Sequence, residues 1–283
     1  MQPKNEEFET QNKAISGKMS AIKNKILVMS GKGGVGKSTV AVNLACALSE
    51  AGHKVGLLDI DLHGPNVPRM LGIAAESMCV EDNEMLPYPV SENLFVCSLA
   101  MLGADSGTPI IWRGPRKTGA IRQMLGEVRW GELDYLLLDS PPGTGDEVLS
   151  AAQAVPEWTG AVVVVTPQEV ALDDARRSIA FAGQVNLPVL GIVENMSGFV
   201  CPHCGKETEI FKKGGGEQLA TDYGVEFLGR VPLEPCIVAL ADDGKPFCRK
   251  DRKTPAAKTF AEIADKLAKF CAAQAENKPV HKT

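Results

Sequence analysis

The 283 residues carry 44% apolar and 23% charged side chains with a formal net charge of −5, the composition of an ordinary globular protein long enough for a large core. That acidic balance argues against a broad nucleic-acid or anionic-membrane surface, which needs a clustered basic footprint. No run approaches the roughly 18 apolar residues that span a bilayer, and residues 1–25 are polar and charged, unlike a secretory signal; the expectation is a cytoplasmic protein with neither membrane nor nucleic-acid partner.

Residues 1–22 show no clear periodicity and are expected to be a mobile polar segment. The β-rich run Ile26-Leu27-Val28-Met29 then enters Gly31-Lys32-Gly33-Gly34-Val35-Gly36-Lys37-Ser38-Thr39, which fits the phosphate-loop pattern G-x-x-x-x-G-K-[ST] and precedes a helical pattern over 38–50. The glycines let successive backbone N–H groups turn inward around phosphates, and the following helix N-terminus favours the same negative charge. Lys37 is placed to reach the β- and γ-phosphates and the Ser38 hydroxyl to ligate Mg²⁺. Lys32 reads either as a solvated loop lysine or as a charge turned away from its own nucleotide towards one held by a second subunit.

Further strand-like runs lie at 54–59, 94–99, 134–139, 161–166, 189–194 and 226–231, with helical patterns at 118–125, 147–154, 172–184, 216–223 and 256–273. Runs such as Tyr135-Leu136-Leu137-Leu138 are apolar on both faces, as in a parallel sheet covered by helices. The alternation predicts one doubly wound, mostly parallel α/β domain over residues 23–275, a flexible tail at 276–283, and ligands at the carboxyl ends of the strands.

Two strands end in acid. Asp59 and Asp61 lead into a Gly/Pro-rich loop, where Asp61 is suited to hold Mg²⁺ through a water or to orient the attacking water, and Asp59 reads as a loop cap. Asp139 ends the 134–139 run, and the stiff Pro141-Pro142-Gly143 turn after it offers the Gly143 N–H to a terminal phosphate. Asp146 reads as the N-cap of the next helix.

Eight cysteines in a reducing compartment are thiols or metal ligands sooner than disulfides. In Cys201-Pro202-His203-Cys204-Gly205 two thiolates on a tight knuckle can face one soft metal centre, yet a zinc or 4Fe-4S site usually needs four ligands. A symmetric dimer sharing one site and a zinc knuckle both remain open; a redox dithiol suits the polar setting less well. Cys236 and Cys248 read as half-buried thiols, Cys46, Cys79, Cys97 and Cys271 as packing residues, and His63 and His203 as solvated.

Taken together, GKGGVGKST, DIDLHGPNVP, WRGPRKTGAIRQML, LLLDSPPGTGDE and CPHC resemble the Mrp/ApbC family of P-loop ATPases, iron-sulfur cluster carrier proteins, over roughly residues 25–267. The resemblance implies a P-loop NTPase of the deviant Walker A, SIMIBI type with a small C-x-x-C insert. It also implies a homodimer that binds ATP and Mg²⁺, hydrolyses ATP slowly, and carries a 4Fe-4S cluster between its Cys201 and Cys204 pairs, with cluster scaffold proteins and apo iron-sulfur proteins as partners. Lys32 then takes the place of the family's signature lysine, Asp61 and Asp139 the switch I and switch II carboxylates, and Asn195 the adenine-reading position, unless Asn195 is simply a turn former. Arg116 departs from the pattern, which more often has an apolar residue there. A ParA/MinD-like positioning ATPase with a structural zinc knuckle is the alternative; it needs an amphipathic membrane helix or a basic face, whereas 254–273 has mixed charge. A nitrogenase-reductase-like electron donor would need two separated cysteines per subunit.

Overall fold

The computed structural model describes residues 3–74, 79–82, 84–102, 114–201, 203–246 and 254–277. In chain order, α1 (Pro3–Ser20) leads into β1 (Ile22–Met29), the phosphate loop, α2 (Lys37–Glu50), β2 (Val55–Asp59) and the one-turn α3 (Val67–Met70). A small antiparallel pair, β3 (Cys79–Glu81) and β4 (Glu84–Leu86), precedes β5 (Tyr88–Ser91) and β6 (Leu94–Ser98). Then come α4 (Gly114–Glu127), β7 (Leu133–Asp139), α5 (Asp146–Ala154), β8 (Gly160–Val165), α6 (Glu169–Gln184) and β9 (Val189–Glu194). A two-residue ribbon of β10 (Phe199–Val200) and β11 (Glu207–Thr208) is followed by α7 (Gly215–Tyr223), β12 (Phe227–Arg230), α8 (Pro235–Asp242) and α9 (Pro255–Asn277).

Eight strands form one sheet in the order β12-β9-β8-β1-β7-β2-β6-β5. Every pairing is parallel except β5 with β6 at one edge, as the doubly apolar strands predicted. Alternate residues feed opposite faces: Ile26, Val28, Leu57 and Leu137 join one core with α2 and α9, while Leu27, Met29, Leu58 and Leu138 join the other with α1, α4 and α6. Strand order reverses around β1, so the loops after β1, β7 and β2 open at the carboxyl ends of adjacent strands, where an open α/β sheet takes its ligand.

Within the segment 1–22, expected to be mobile, Pro3–Ser20 form a helix docked on the domain. Ile15 and Met19, one turn apart and so on one face, are fully buried. Arg122 of α4 reaches back to Gln11 at 3.3 Å and to Asn12, and its guanidinium lies 4.3 Å from the Phe8 ring centroid. The buried Lys25 ammonium sits 3.2 Å from the Ile22 carbonyl and 3.4 Å from that of Met19, neutralising the negative end of α1. So few apolar residues punctuate this stretch that its periodicity is weak; packing against α4 stabilises what propensity alone would not. At the other end α9 runs to Asn277, past the expected start of the tail, and residues 278–283 lie outside the described residues. Among the described residues no helix is long and apolar enough to cross a membrane.

If α1 is part of the folded domain, Ile15→Ala leaves a cavity under α4 and lowers unfolding free energy by about 2–5 kcal/mol. Urea titration of the variant checks this; a midpoint unchanged from wild type would show that the helix is not docked in solution.

Candidate nucleotide and thiol sites

The phosphate loop owes its path to two tight approaches. Gly31 lies against the backbone of Asp174 in α6, where a Cβ would overlap the Asp174 carbonyl. Gly36, in the left-handed region at φ 80°, caps α2 and leaves room for the Asn195 amide, which a side chain would strike. Together these glycines turn the loop into the helix N-terminus, the arrangement that suits an anion. Residues 32–39, with Ser30, Asp61 and Pro142, line one side of a cavity of about 440 Å³, and Arg69, Met70, Ile237 and Ala241 lie on its other walls. Lys32 and Ser38, with Asp61, therefore face one space.

At the foot of that cavity the Lys37 ammonium is 2.5 Å from Asp139 Oδ1, both nearly inaccessible to solvent, and 3.3 Å from the Ser38 hydroxyl. Asp139 Oδ2 is buried without a hydrogen-bond partner. Parallel register places Asp59 directly beside Asp139. Burial, and after it the Asp139 charge, push the Asp59 carboxyl well above the ordinary aspartate range, while burial raises Asp139 against the pull of Lys37. Two desolvated carboxyls on neighbouring strands resist joint ionisation. Asp59, which sequence reasoning left as a loop cap, accepts the Asp61 N–H at 3.0 Å and a 3.3 Å bond from Ser98 Oγ. Only β2–β7 pairing reveals it as a neighbour of the site.

Asp61 Oδ1 accepts the N–H groups of His63 and Gly64 at 3.1 and 3.2 Å, an Asx turn that sets its aim. The Gly143 N–H, expected to meet a terminal phosphate, donates instead to the Ser30 carbonyl at 2.8 Å and ties the Pro-Pro-Gly turn to the phosphate loop. Asn195 is buried and donates through Nδ2 to the Val35 carbonyl at 2.9 Å, bracing the loop from beneath. Asp146 begins α5, and the cap position belongs to Gly145.

Six residues after Asn195 stands Cys201. The preceding Glu194 is fully buried and accepts from Ser197 Oγ at 2.5 Å, from the Gly214 and Gly216 N–H groups, and from Arg230 Nε at 3.0 Å. Burial alone would raise this carboxyl; the four donors outweigh it and hold it below the ordinary range. From this anchor the β10–β11 ribbon carries the cysteines at its tip, where Cys201 N–H bonds to Lys206 O at 3.0 Å and Gly205 N–H to Cys201 O at 2.9 Å. Cys201 is half-exposed and Cys204 exposed. The N–H groups of Cys204 and then His203 draw the Cys201 thiol below its usual value. Among the described residues no three His, Cys, Asp or Glu side chains are grouped to hold a metal ion.

The remaining cysteines divide differently from expectation. Cys46, Cys97 and Cys271 are buried packing thiols, whereas Cys79 on β3 and Cys236 at the start of α8 are exposed. Cys248 and the side chain of Arg116 lie outside the described residues.

Known proteins resemble this chain in sequence and fold. The chain is 49% identical over 257 residues to an iron-sulfur cluster carrier protein of Methanocaldococcus jannaschii, covering 91% of this chain and 88% of the relative. It is 45% identical to the cytosolic Fe-S cluster assembly factor NUBP2 of Bos taurus, covering 89% and 94%. Among solved structures, a nucleotide-binding protein from Archaeoglobus fulgidus in complex with ADP superposes with a TM-score of 0.75 at 38% identity, covering 87% of this chain and 95% of that one. The family model described as ParA, NUBPL iron-transfer P-loop NTPase, matches residues 21–268, and the chain belongs to that family.

Proposed function

We propose that this protein is an ATP-dependent carrier of iron-sulfur clusters, acting as a cytoplasmic homodimer that takes a 4Fe-4S cluster from a scaffold protein and hands it to apo iron-sulfur proteins. The observation that carries the reading is a pair of thiols, Cys201 half-exposed and Cys204 exposed, on a ribbon anchored one residue from Asn195, the brace of the phosphate loop. A cluster as cargo needs about four thiolates. Two copies related by a two-fold axis supply them from Cys201 and Cys204 of each, and a two-ligand half-site lets the cargo leave when the copies part.

In the nucleotide cavity, residues 31–39 would cradle the phosphates and Lys37 would bind the terminal ones. Oxygen donors for a hard divalent cation are at hand in Ser38, Asp61 and the unpartnered Asp139 Oδ2, a set that fits Mg²⁺, which would neutralise the charge of the phosphates. Asp61 would orient the attacking water, and Lys32 would act across the dimer on the partner's nucleotide, a charge in trans of the kind that accelerates phosphoryl transfer. Asn195, already bonded to the loop, would contribute to the base-proximal side only after rearranging that contact. Hydrolysis, slow and coupled to cluster handling, would reset the dimer.

A positioning ATPase shares the phosphate loop but leaves the thiol ribbon without a purpose. It also wants a free apolar helix face for a membrane; in α9, Phe260, Ile263 and Leu267 are fully buried in the core.

Lys37→Ala is expected to abolish tight ATP binding. Lys32→Ala should retain ATP affinity and lose turnover by roughly 10³-fold or more, and near-normal steady-state hydrolysis in that variant would remove Lys32 from the reaction.

Anaerobic reconstitution should give one brown 4Fe-4S cluster per two chains, with iron and sulfide counted alongside the visible spectrum. Cys201→Ala or Cys204→Ala should lose the cluster and keep ATP binding, since the phosphate loop is a separate segment, and Cys236→Ala should keep both. Tightly held zinc without colour would favour the knuckle instead.

A further inference from the structure

Three side chains from separate elements meet beside the loop that carries Asp61. Lys117 of α4 places its ammonium 2.7 Å from Glu147 Oε1 in the first turn of α5 and 2.6 Å from His63 Nε2, and that ring nitrogen is 3.5 Å from the same Glu147 oxygen. The sequence reading gave His63 no role, and neither Lys117 nor Glu147 belongs to the nucleotide or thiol sites.

Their exposures are unequal. The side chains of Glu147 and Lys117 keep 10% and 18% of their accessible surface, whereas His63 keeps 58%. A largely buried ion pair resists separation, because either partner alone would remain as a desolvated charge. Hydrogen bonding to Lys117 helps hold Glu147 below the ordinary carboxylate range, outweighing a burial effect that would raise it. An exposed imidazole is held far less firmly. Lys117 and Glu147 thus make a fixed post between α4 and α5, and His63 is the detachable member.

Position gives the post its meaning. His63 and Gly64 supply the two N–H groups that orient Asp61 Oδ1, so restraining the His63 ring restrains the turn that aims Asp61. Glu147 follows the Pro141-Pro142-Gly143 turn, which hangs from Asp139 and bonds to the phosphate loop through the Gly143 N–H. Contact between His63 and Lys117 therefore ties both acidic loops to one frame. Because Lys117 can only donate, His63 Nε2 accepts in this contact and the ring proton resides on Nδ1.

We propose that docking of His63 on the Lys117–Glu147 post sets the position of Asp61, making His63 a positioning residue for ATP hydrolysis. This rests on the ATPase reading above. Misplacing a water-orienting group by an ångström is enough to slow a reaction strongly. His63→Ala should lower kcat by about 10- to 100-fold while ATP affinity and thermal stability stay at wild-type values, since the ring is exposed and touches no nucleotide-lining group. His63→Gln, whose amide oxygen can accept from Lys117, should recover part of the loss. Glu147→Gln should slow turnover through the same contact, so the double variant His63→Ala/Glu147→Gln should be no slower than the slower single one.

Docking is read separately, without nucleotide, from the ¹⁵N shifts of the His63 ring: an Nδ1-protonated tautomer in wild type that is lost in Lys117→Met. Wild-type kcat in His63→Ala, multiplicative losses in the double variant, or a tautomer indifferent to Lys117→Met would each overturn the proposal. Tight ATP binding without any hydrolysis by the wild-type protein would instead refute the ATPase reading, and the positioning role with it, while the tautomer measurement would still decide whether the ring docks.

Discussion

A lysine and an aspartate buried side by side set the terms for the rest of this structure. Lys37 opens α2 and Asp139 closes β7, yet their charged groups stand 2.5 Å apart at the base of the cavity. Removing one member of such a pair strands the other as an uncompensated charge at a cost of about 3–5 kcal/mol. The glycines of the loop and the register of β1 and β2 against β7 keep that contact enclosed. In the proposed cycle phosphate replaces Asp139 as the partner of Lys37, which frees a carboxylate already lacking one hydrogen bond.

Around this contact the fold arranges a series of rigid attachments. Asn195 holds the underside of the phosphate loop, Glu194 fixes the next turn to α7 and β12, and the cysteine ribbon springs from the same segment. On the other side, Gly143 joins the turn after Asp139 to Ser30, and Glu147 joins α5 to α4. Each attachment uses a buried side chain or a backbone hydrogen bond, and a buried polar group that loses its partner is costly. Solvent reaches the attachments most freely at the His63 ring and at Cys204 on the thiol tip.

Two helices illustrate how packing overrides composition. Residues in α1 look like a solvated leader because four apolar side chains in a polar stretch generate little periodic signal, but α4 supplies the missing surface for Ile15 and Met19. In α9 the amphipathic pattern is evident, and by itself fits either a membrane-seeking helix or a core helix; contact with α2 and β12 commits its apolar stripe to the interior.

What the sequence by itself determined are features written in consecutive residues: the phosphate loop, the alternation of doubly apolar strands with helices, the acids at two strand ends and the paired cysteines. Strand period, loop glycines and knuckle spacing are local, so a single stretch of chain suffices to express them. Only the tertiary structure decided which acids share a site, because Asp59 and Asp139 become neighbours through parallel pairing of strands eighty residues apart. It likewise decided that Asn195 braces the loop, that Gly143 is bonded to Ser30, and that His63 has Lys117 and Glu147 for company. Such contacts depend on register and crossover, and a one-dimensional pattern carries no record of which distant residue a strand or helix will bring alongside.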